Sequence, residues 1–190
     1  MRDWHGWLTD RATHRAPVDA HFNHALAWLA RQADGVDVLE IGPGPHRDLT
    51  NKVEALPNTN HVITADVDPR VARVHGPHHI QLQKDDALPW HPHSFDAVLA
   101  REVFEHVFEL RLMVQEIARI LRPGGRLWFS TVFTFPLHDY ETGDYWRLSP
   151  KGWEKLLNTC VEWDSFEVTP ARELFGSWQL PCNILGWAER

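Results

Sequence analysis

The stretch DVLEIGPGPHRD, residues 37–48, joins an apolar run to an acid and to two glycines that alternate with two prolines. A glycine turn between a strand and a helix typically places a ligand at the carboxyl ends of parallel strands, where the backbone can approach it closely. A pyrophosphate in that position is held by backbone N–H groups, and Pro43 and Pro45 each remove one such donor. The stretch therefore predicts an α/β fold with a ligand site at this turn, and it disfavours a phosphate ligand.

The rest of the chain alternates between apolar runs and helical patterns. Strands are predicted at 36–41, 61–66, 78–83, 94–100, 125–133 and 161–169. Helices are predicted at 18–30 (after Pro17), 46–56, 103–121 and 149–159, the last with Ser149 as its N-cap. Strands separated by helices predict a Rossmann-like, doubly wound and mostly parallel sheet with helices on both faces. The tail at 173–190 fits either a further strand, which would bring the sheet to about seven, or a helix.

Length and charge narrow the classes of protein. We expect a single domain over residues 1–190, as a monomer or a homodimer. The net charge of −7 opposes attraction to nucleic acid and to anionic membranes, so both are unexpected partners. No apolar run approaches about 18 residues, and the N-terminus has no signal-peptide pattern. Cys160 and Cys182 have neither metal spacing nor disulfide density, which favours the reducing cytoplasm.

The ligand at the turn can be specified further. The dinucleotide-binding fingerprint requires a third glycine. After Gly44 this chain instead reads Pro45, His46, Arg47 and Asp48. S-adenosylmethionine carries no phosphate, and its ammonium group needs acceptors rather than N–H donors. A turn that offers close approach, carbonyl oxygens and a nearby acid therefore suits S-adenosylmethionine better than a dinucleotide.

The segment VLEIGPGP resembles the first motif of class I S-adenosylmethionine-dependent methyltransferases, with Glu40, Gly42 and Gly44 on its acidic and glycine positions. The resemblance continues through ITADVDP, DDALPWHPHSFDAVLAREVFEHV and LRPGGRLWFSTVF, in family order over about residues 36–135. The pattern is similar to that of the methyltransferase type 11 group. It implies the class I methyltransferase fold, S-adenosyl-L-methionine as the cofactor, and cofactor contacts from all three of these residues.

The resemblance also implies cofactor residues after the next strands. Asp66 ends the second predicted strand 24 residues after Gly42, a spacing suited to an acid that accepts hydrogen bonds from both ribose hydroxyls. Val67 would pack on one face of the adenine. Ala100 and Arg101 follow the fourth strand, so their backbone should lie near the methionine part.

We expect the DDALP segment, residues 85–89, to form the adenine site. Asp86, in preference to Asp85, would accept a hydrogen bond from the adenine amino group. Ala87 or Leu88 would cover the second adenine face. The sequence departs from the family pattern here in the short interval between Asp86 and Leu88, and at Pro45, where a third glycine is frequent.

We expect the polar and aromatic loop at 134–148, called the acceptor-side loop below, to form the site for the methyl acceptor. The sulfonium is already a strong methyl donor, so the protein mainly aligns an acceptor, and an oxygen or nitrogen acceptor also needs a base for its proton. His138 is the candidate base or substrate orienter. Tyr140, as a further catalytic candidate, and Trp146 would form aromatic walls.

Two alternative roles are open for each of the following residues. Arg147 would be a clamp for a substrate anion or a structural partner of Asp144. His106, in the EHV of the family pattern, lies near the cleft mouth and has either a direct role or a packing role. Residues 1–33, with Trp7 as a substrate contact, form either part of a lid or a helix that flanks the sheet.

We therefore expect a methyltransferase that acts on a small-molecule oxygen or nitrogen, with secondary metabolism and cell-envelope sugars as settings. The histidines of HGPHH at 75–79 and HPH at 91–93 lack zinc-site spacing, and no metal is expected. A DNA amino methyltransferase should show (N/D)PP(Y/F) after the fourth strand, where this chain reads AREV. The alternatives are an NAD-binding oxidoreductase of Rossmann type and a non-catalytic module that binds S-adenosylmethionine.

Overall fold

A single seven-stranded sheet organises the chain, of which the computed structural model describes residues 11–138, 143–175 and 178–190. The strands, in chain order, are β1 Val36–Ile41, β2 Thr59–Asp66, β3 His79–Gln81, β4 Phe95–Arg101, β5 Leu121–Val132, β6 Ser165–Phe175 and β7 Trp178–Glu189. Their order in the sheet is β3-β2-β1-β4-β5-β7-β6. The first five strands in this order form four parallel pairs, and β7 is antiparallel to both β5 and β6. The predicted doubly wound, mostly parallel sheet is confirmed.

Helices cover both faces of this sheet. They are α1 Arg11–Leu29, α2 Asp48–Glu54, α3 Ala72–His75, α4 Leu110–Ile120 and α5 Pro150–Cys160, with 3-10 turns at Gly76–His78 and Phe104–His106. Within the described parts of the chain, none of these helices combines the length and the apolar character needed to cross a membrane.

Alternation along the strands divides the core into two layers. In β1, Val36 and Val38 pack with α1 and α2, whereas Leu39 and Ile41 pack with α4 and α5. A strand buried on both faces needs apolar residues at successive positions, which explains the near-continuous apolar runs of the parallel strands. Glu40 has the parity of Val36 and Val38, so its side chain points towards the α1 and α2 layer.

Two predicted helices have wrong boundaries. The helix expected at 103–121 begins only at Leu110, because Glu102 adopts a positive φ of 55° and a 3-10 turn follows it. The helix expected after Pro17 already begins at Arg11 and contains this proline. A proline in a helix removes one backbone hydrogen bond. Here that loss is offset by a buried stripe along one face of α1, formed by Val18, Phe22, Ala25 and Leu29.

The helix and strands of the C-terminal half agree more closely with the elements predicted from the sequence. The helix predicted at 149–159 is confirmed as α5, where the Ser149 hydroxyl accepts a hydrogen bond from Gly152 N at 3.2 Å. The ambiguous tail forms β7, which pairs with β6 over its whole length and thereby extends β6 to Phe175. The helix α4 ends at Ile120, and β5 begins directly after it, because Leu121 pairs with Phe95 of β4.

Candidate functional site

A cleft of about 270 Å³ opens at the carboxyl ends of β1, β2 and β4. Parallel strands direct their carboxyl ends to one edge, which is where α/β sheets bind ligands. Its wall includes residues from four connections: Gly42, Gly44, Pro45, Asp66, Val67, Lys84, Asp85, Asp86, Leu88, Glu102, Val103 and His106. Most of the residues expected to bind the cofactor are therefore brought to one place.

The glycine turn is held tightly against the ends of β1 and β2. Gly42 and Gly44 have φ values of 65° and 64°, and a Cβ on Gly42 would lie 2.5 Å from Val103 Cγ2. Gly42 N donates to Ala65 O at 2.8 Å, and Gly44 N donates to a carboxylate oxygen of Asp66 at 3.4 Å. Because residues 43 and 45 are prolines, residues 42–45 have no further N–H to offer. The turn therefore allows close approach of a ligand but offers a phosphate no free N–H group of its own.

Asp66 lies on the cleft wall at the end of β2. One of its carboxylate oxygens accepts from Gly44 N at 3.4 Å and the other from Asp68 N at 2.9 Å. Each carboxylate oxygen has two lone pairs, so the side chain keeps acceptor capacity for two hydroxyl groups. Its neighbour Val67 is 37% exposed and contributes an apolar part of the wall.

Asp85 and Asp86 of the DDALP segment both lie on the cleft wall but differ in their partners. Asp85 has a φ of 58°, and its carboxylate accepts from Glu109 N at 3.0 Å, immediately before α4. Asp86 is exposed on the cleft wall, which leaves its carboxylate available to a ligand. The structure places Leu88, rather than Ala87, on that wall.

Glu40 and Arg101 lie behind the cleft, on the α1 and α2 face of the sheet. Glu40 is buried and accepts a hydrogen bond from the Thr50 hydroxyl at 2.6 Å, and burial raises the pKa of its carboxyl group. The Arg101 guanidinium lies 3.6 Å from Asp19 of α1. Both side chains are outside the cleft wall, so any contribution to cofactor binding is made through the backbone or the loop they support.

Two acids follow β4 at the mouth of the cleft. Glu102 accepts from the Ser130 hydroxyl at 2.5 Å and from the Asn183 amide at 3.0 Å. Glu105 is fully buried; one of its oxygens accepts from the Thr131 hydroxyl at 2.8 Å, and the other has no hydrogen-bond partner within the described residues. Burial is the main cause that raises the pKa of each carboxyl group, and the charge of Glu105 adds to the effect on Glu102.

His106 lies on the cleft wall beside these acids. Its Nδ1 is 2.5 Å from Gly143 O, and its Nε2 is 4.0 Å from Glu105 Oε1. A carbonyl oxygen only accepts hydrogen bonds, so Nδ1 carries the proton and Nε2 presents a lone pair. The imidazole is thus oriented as a proton acceptor at the cleft mouth.

His138 contacts His106 rather than the cleft wall. The two rings pack edge to face with centroids 5.0 Å apart, and His138 Nδ1 lies 3.2 Å from Pro136 O and 3.2 Å from an Asp144 carboxylate oxygen. Asp144 also accepts from His138 N at 2.9 Å and forms a two-pronged ion pair with Arg147. Arg147 is therefore the structural partner of Asp144, one of its two expected roles.

Trp146 anchors the acceptor-side loop. Its indole N–H donates to Val107 O at 2.9 Å, and Tyr145 N donates to Glu105 O at 2.7 Å. These bonds fasten residues 143–147 to the turn that carries His106. Trp146 packs against the core and not on the cleft wall, while Tyr140 and Trp7 lie outside the described residues.

The structure also groups donors that the sequence does not bring together. Glu105, His106 and His138 each offer an oxygen or nitrogen, and these atoms lie within 4.8 Å of one another. One carboxylate and two imidazoles form a donor set that could hold a divalent cation. His138 is distant from the other two in sequence and has no regular spacing to them. The EH pair at 105–106 is the one local signal of this cluster.

Comparison with known proteins agrees with this geometry. Residues 39–129 match the model of a family described as a methyltransferase domain. A ubiquinone biosynthesis O-methyltransferase of Xylella fastidiosa (strain 9a5c) is 35% identical over 139 residues, which is 67% of this chain and 54% of the relative. The chain thus spans about half the length of the curated relatives that it matches.

Solved structures share the fold. A methyltransferase from Mesorhizobium loti described as S-adenosylmethionine-dependent has a TM-score of 0.62 and 18% identity, with 91% of this chain and 100% of that chain covered. The trans-methyltransferase CalH, solved in complex with SAH, has a TM-score of 0.67 and 14% identity, with 95% and 60% covered. The predicted fold class is confirmed by these neighbours.

Proposed function

Since residues 39–129 carry the methyltransferase domain of the class I, S-adenosylmethionine-dependent family, we propose that the chain transfers a methyl group from S-adenosylmethionine to a hydroxyl group of a small molecule. The observation that carries the proposal is the cleft wall itself. This wall combines a glycine turn without spare N–H groups, the carboxylates of Asp66 and Asp86, and the imidazole of His106.

Cofactor binding follows from that wall. The Asp66 carboxylate would accept hydrogen bonds from the two ribose hydroxyls. Val67 and Leu88 would cover the adenine faces, and Asp86 would accept from the adenine amino group. Gly42 allows the methionine part to approach the end of β1, because any side chain at this position would collide with Val103.

Proton removal is assigned to His106. Its Nδ1–H is committed to Gly143 O, so Nε2 is free to accept the proton of an acceptor hydroxyl as the methyl group is transferred. His138 packs on the imidazole of His106 and is itself oriented by Asp144. This arrangement keeps the base fixed, while alignment of the hydroxyl with the S–CH₃ bond supplies most of the acceleration.

Two observations support an aromatic hydroxyl as the acceptor. Tyr145 and Phe108 are exposed and pack edge to face at 5.4 Å, and Tyr145 reaches Lys84 of the cleft wall through a contact of 3.4 Å. Exposed aromatic rings beside a cleft favour flat apolar ligands. The matched relatives are named as O-methyltransferases, which favours oxygen over nitrogen.

The test is transfer of labelled methyl groups from S-adenosylmethionine to a panel of phenols, catechols, sugars and amines. We expect turnover of phenolic or catecholic hydroxyls and little transfer to sugars and amines. Turnover of amines alone would refute oxygen as the acceptor atom. Tight cofactor binding without turnover of any acceptor class would favour a non-catalytic binding module.

A second candidate mechanism uses the cluster of Glu105, His106 and His138 to hold a divalent cation. The bound cation would supply Lewis-acid polarisation of the acceptor oxygen, and these three side chains would hold it at the cleft mouth. Activity after dialysis against EDTA separates the two mechanisms. Loss of activity that Mg²⁺ or Mn²⁺ restores assigns the cluster to a cation, whereas EDTA-resistant activity assigns His106 to proton transfer.

A further inference from the structure

A buried histidine holds the glycine turn from behind the cleft. His75, the last residue of α3, is 5% exposed, and its Nε2 lies 3.0 Å from Gly44 O. Its Nδ1 lies 3.5 Å from a guanidinium nitrogen of Arg47, which also donates to His75 O at 3.3 Å. His75 is not on the cleft wall, whereas Gly44 and Pro45 are.

The partners of His75 fix its tautomer. A guanidinium only donates hydrogen bonds, so Nδ1 of His75 is the acceptor and Nε2 carries the proton that it donates to Gly44 O. The neutral form is required, because a proton on Nδ1 would face the Arg47 cation. Burial first, and the Arg47 charge after it, lower the pKa of His75.

Gly44 is consequently held at both of its backbone polar groups. Its N–H donates to Asp66, the expected ribose acceptor, and its carbonyl oxygen accepts from His75. The prolines on either side contribute no N–H groups, so among the described residues the turn is anchored by this pair of bonds and by the bond from Gly42 N to Ala65 O. A turn with so few anchors depends strongly on each one.

We propose that His75 is a positioning residue for cofactor binding: its bond to Gly44 holds the glycine turn in the conformation that meets S-adenosylmethionine and keeps Asp66 directed into the cleft. The proposal rests on the proposed function, because it assumes that the turn contacts this cofactor. His75 acts through Gly44 and not through the ligand, so its loss weakens binding and leaves the chemical step intact at saturating cofactor.

The bond also gives cofactor binding a pH dependence. The groups that face His75 are Arg47 before α2, Glu54 on α2, Asp66 on β2 and His79 on β3. Acid adds a proton to Nδ1, which then faces the Arg47 cation, and this repulsion pushes the imidazole away from its position against Gly44 O. Affinity for the cofactor is therefore expected to fall as the pH drops below the ordinary histidine range.

The test compares His75→Gln, whose amide nitrogen can replace Nε2 as a donor without titrating, with His75→Leu, which has no donor. His78→Leu, at an exposed position in the next turn, is the control. By calorimetry, we expect His75→Leu to bind SAH roughly 3- to 10-fold more weakly, the effect of one hydrogen bond, with kcat at saturating S-adenosylmethionine unchanged. His75→Gln should bind SAH as tightly as the wild type does at pH 7.5. Its affinity for SAH should not fall at acidic pH, because the amide does not titrate.

Equal SAH affinity of wild type and His75→Leu, or equal weakening in His75→Gln and His75→Leu, would overturn the proposal. Hydrogen exchange of the Gly44 amide provides a readout that needs no ligand. We expect faster exchange in His75→Leu than in the wild type and in His78→Leu, and an unchanged rate would also overturn the proposal. If the wild type fails to bind SAH while this exchange difference is present, the proposed function fails and the anchoring of the turn by His75 stands.

Discussion

His106 and His138 pack edge to face, with ring centroids 5.0 Å apart and ring planes at 81° to each other. Each ring is oriented through its Nδ1, which faces Gly143 O in His106 and both Pro136 O and the Asp144 carboxylate in His138. Only His106 lies on the cleft wall. The pair therefore divides into a proposed base and a residue that supports it.

Replacing His106 with Gln should remove the proton acceptor at the cleft mouth. We expect kcat to fall roughly 100- to 10,000-fold, the usual contribution of general base catalysis. The affinity for SAH, measured by calorimetry, should change little, because His106 is not assigned to cofactor binding. His91→Gln, at an exposed position before β4, is the matched control and should keep wild-type kcat. A His106→Gln enzyme with wild-type kcat would remove the proposed base.

Replacing Asp144 with Asn should destabilise the acceptor-side loop. The Asp144 side chain is 4% exposed and serves Arg147 and His138 together, so its loss leaves Arg147 without its ion-pair partner. We expect the free energy of unfolding in urea to fall by about 1–3 kcal/mol. Glu154→Gln removes another i,i+3 pair, with Lys151 on the surface, and should cost less than about 0.5 kcal/mol. Equal losses in the two variants would contradict a structural role for Asp144.

Replacing Asp66 with Asn should weaken cofactor binding more than it alters the fold. The exchange keeps the shape but removes the charge that strengthens hydrogen bonds from the ribose hydroxyls. We expect the Kd for SAH to rise roughly 10- to 100-fold, since bonds to a charged group contribute about 1.5–3 kcal/mol. The exposed control Asp164→Asn, before β6, should bind SAH as the wild type does. Unchanged binding by Asp66→Asn would remove this residue from the cofactor site.

The strand pattern and the glycine turn were predictable because they depend on local signals. Apolar runs located the parallel strands, and the prolines in GPGP removed the donors that a dinucleotide needs. Boundaries that depend on tertiary contacts were missed. The start of α4 at Leu110 follows the positive φ of Glu102 and the 3-10 turn after it, with Asp85 accepting from Glu109 N, and the strand β7 is set by its pairing with β5 and β6. Neither contact leaves a local mark in the sequence.

The site residues likewise divide into those that local signals predict and those that tertiary contacts place. Asp66, Val67 and Asp86 lie on the cleft wall, as expected from their positions after strands. Glu40 matches the motif but points to Thr50, because alternation along β1 turns it to the α1 and α2 layer. The approach of His138 to His106 depends on how the loop folds back, which spacing along the chain does not encode.

His21 on α1 should make the stability of the protein sensitive to acid. Its Nε2 lies 3.1 Å from Gly186 O, and burial is the main cause that lowers its pKa to about 4. The unfolded chain therefore binds more protons than the folded protein between about pH 6.5 and pH 4, so the free energy of unfolding falls as the pH drops through this window. The full loss is roughly 3 kcal/mol.

The measurement is urea unfolding between pH 7.5 and pH 4 for His21→Gln, which keeps a donor for Gly186 O but does not titrate. We expect a shallower decline for this variant than for the wild type. His24→Gln, exposed on the same helix, should keep the wild-type decline. Identical pH profiles for His21→Gln and the wild type would show that His21 is not the source of the acid sensitivity.

The central claim is that the cleft at the GPGP turn binds S-adenosylmethionine and not a dinucleotide. Calorimetric titration of the purified chain with SAH, and separately with NAD(H), tests it most directly. We predict one SAH site per chain and no heat of binding for NAD(H), because residues 42–45 have no N–H group to spare for a pyrophosphate. Binding of NAD(H) without a response to SAH would contradict the account.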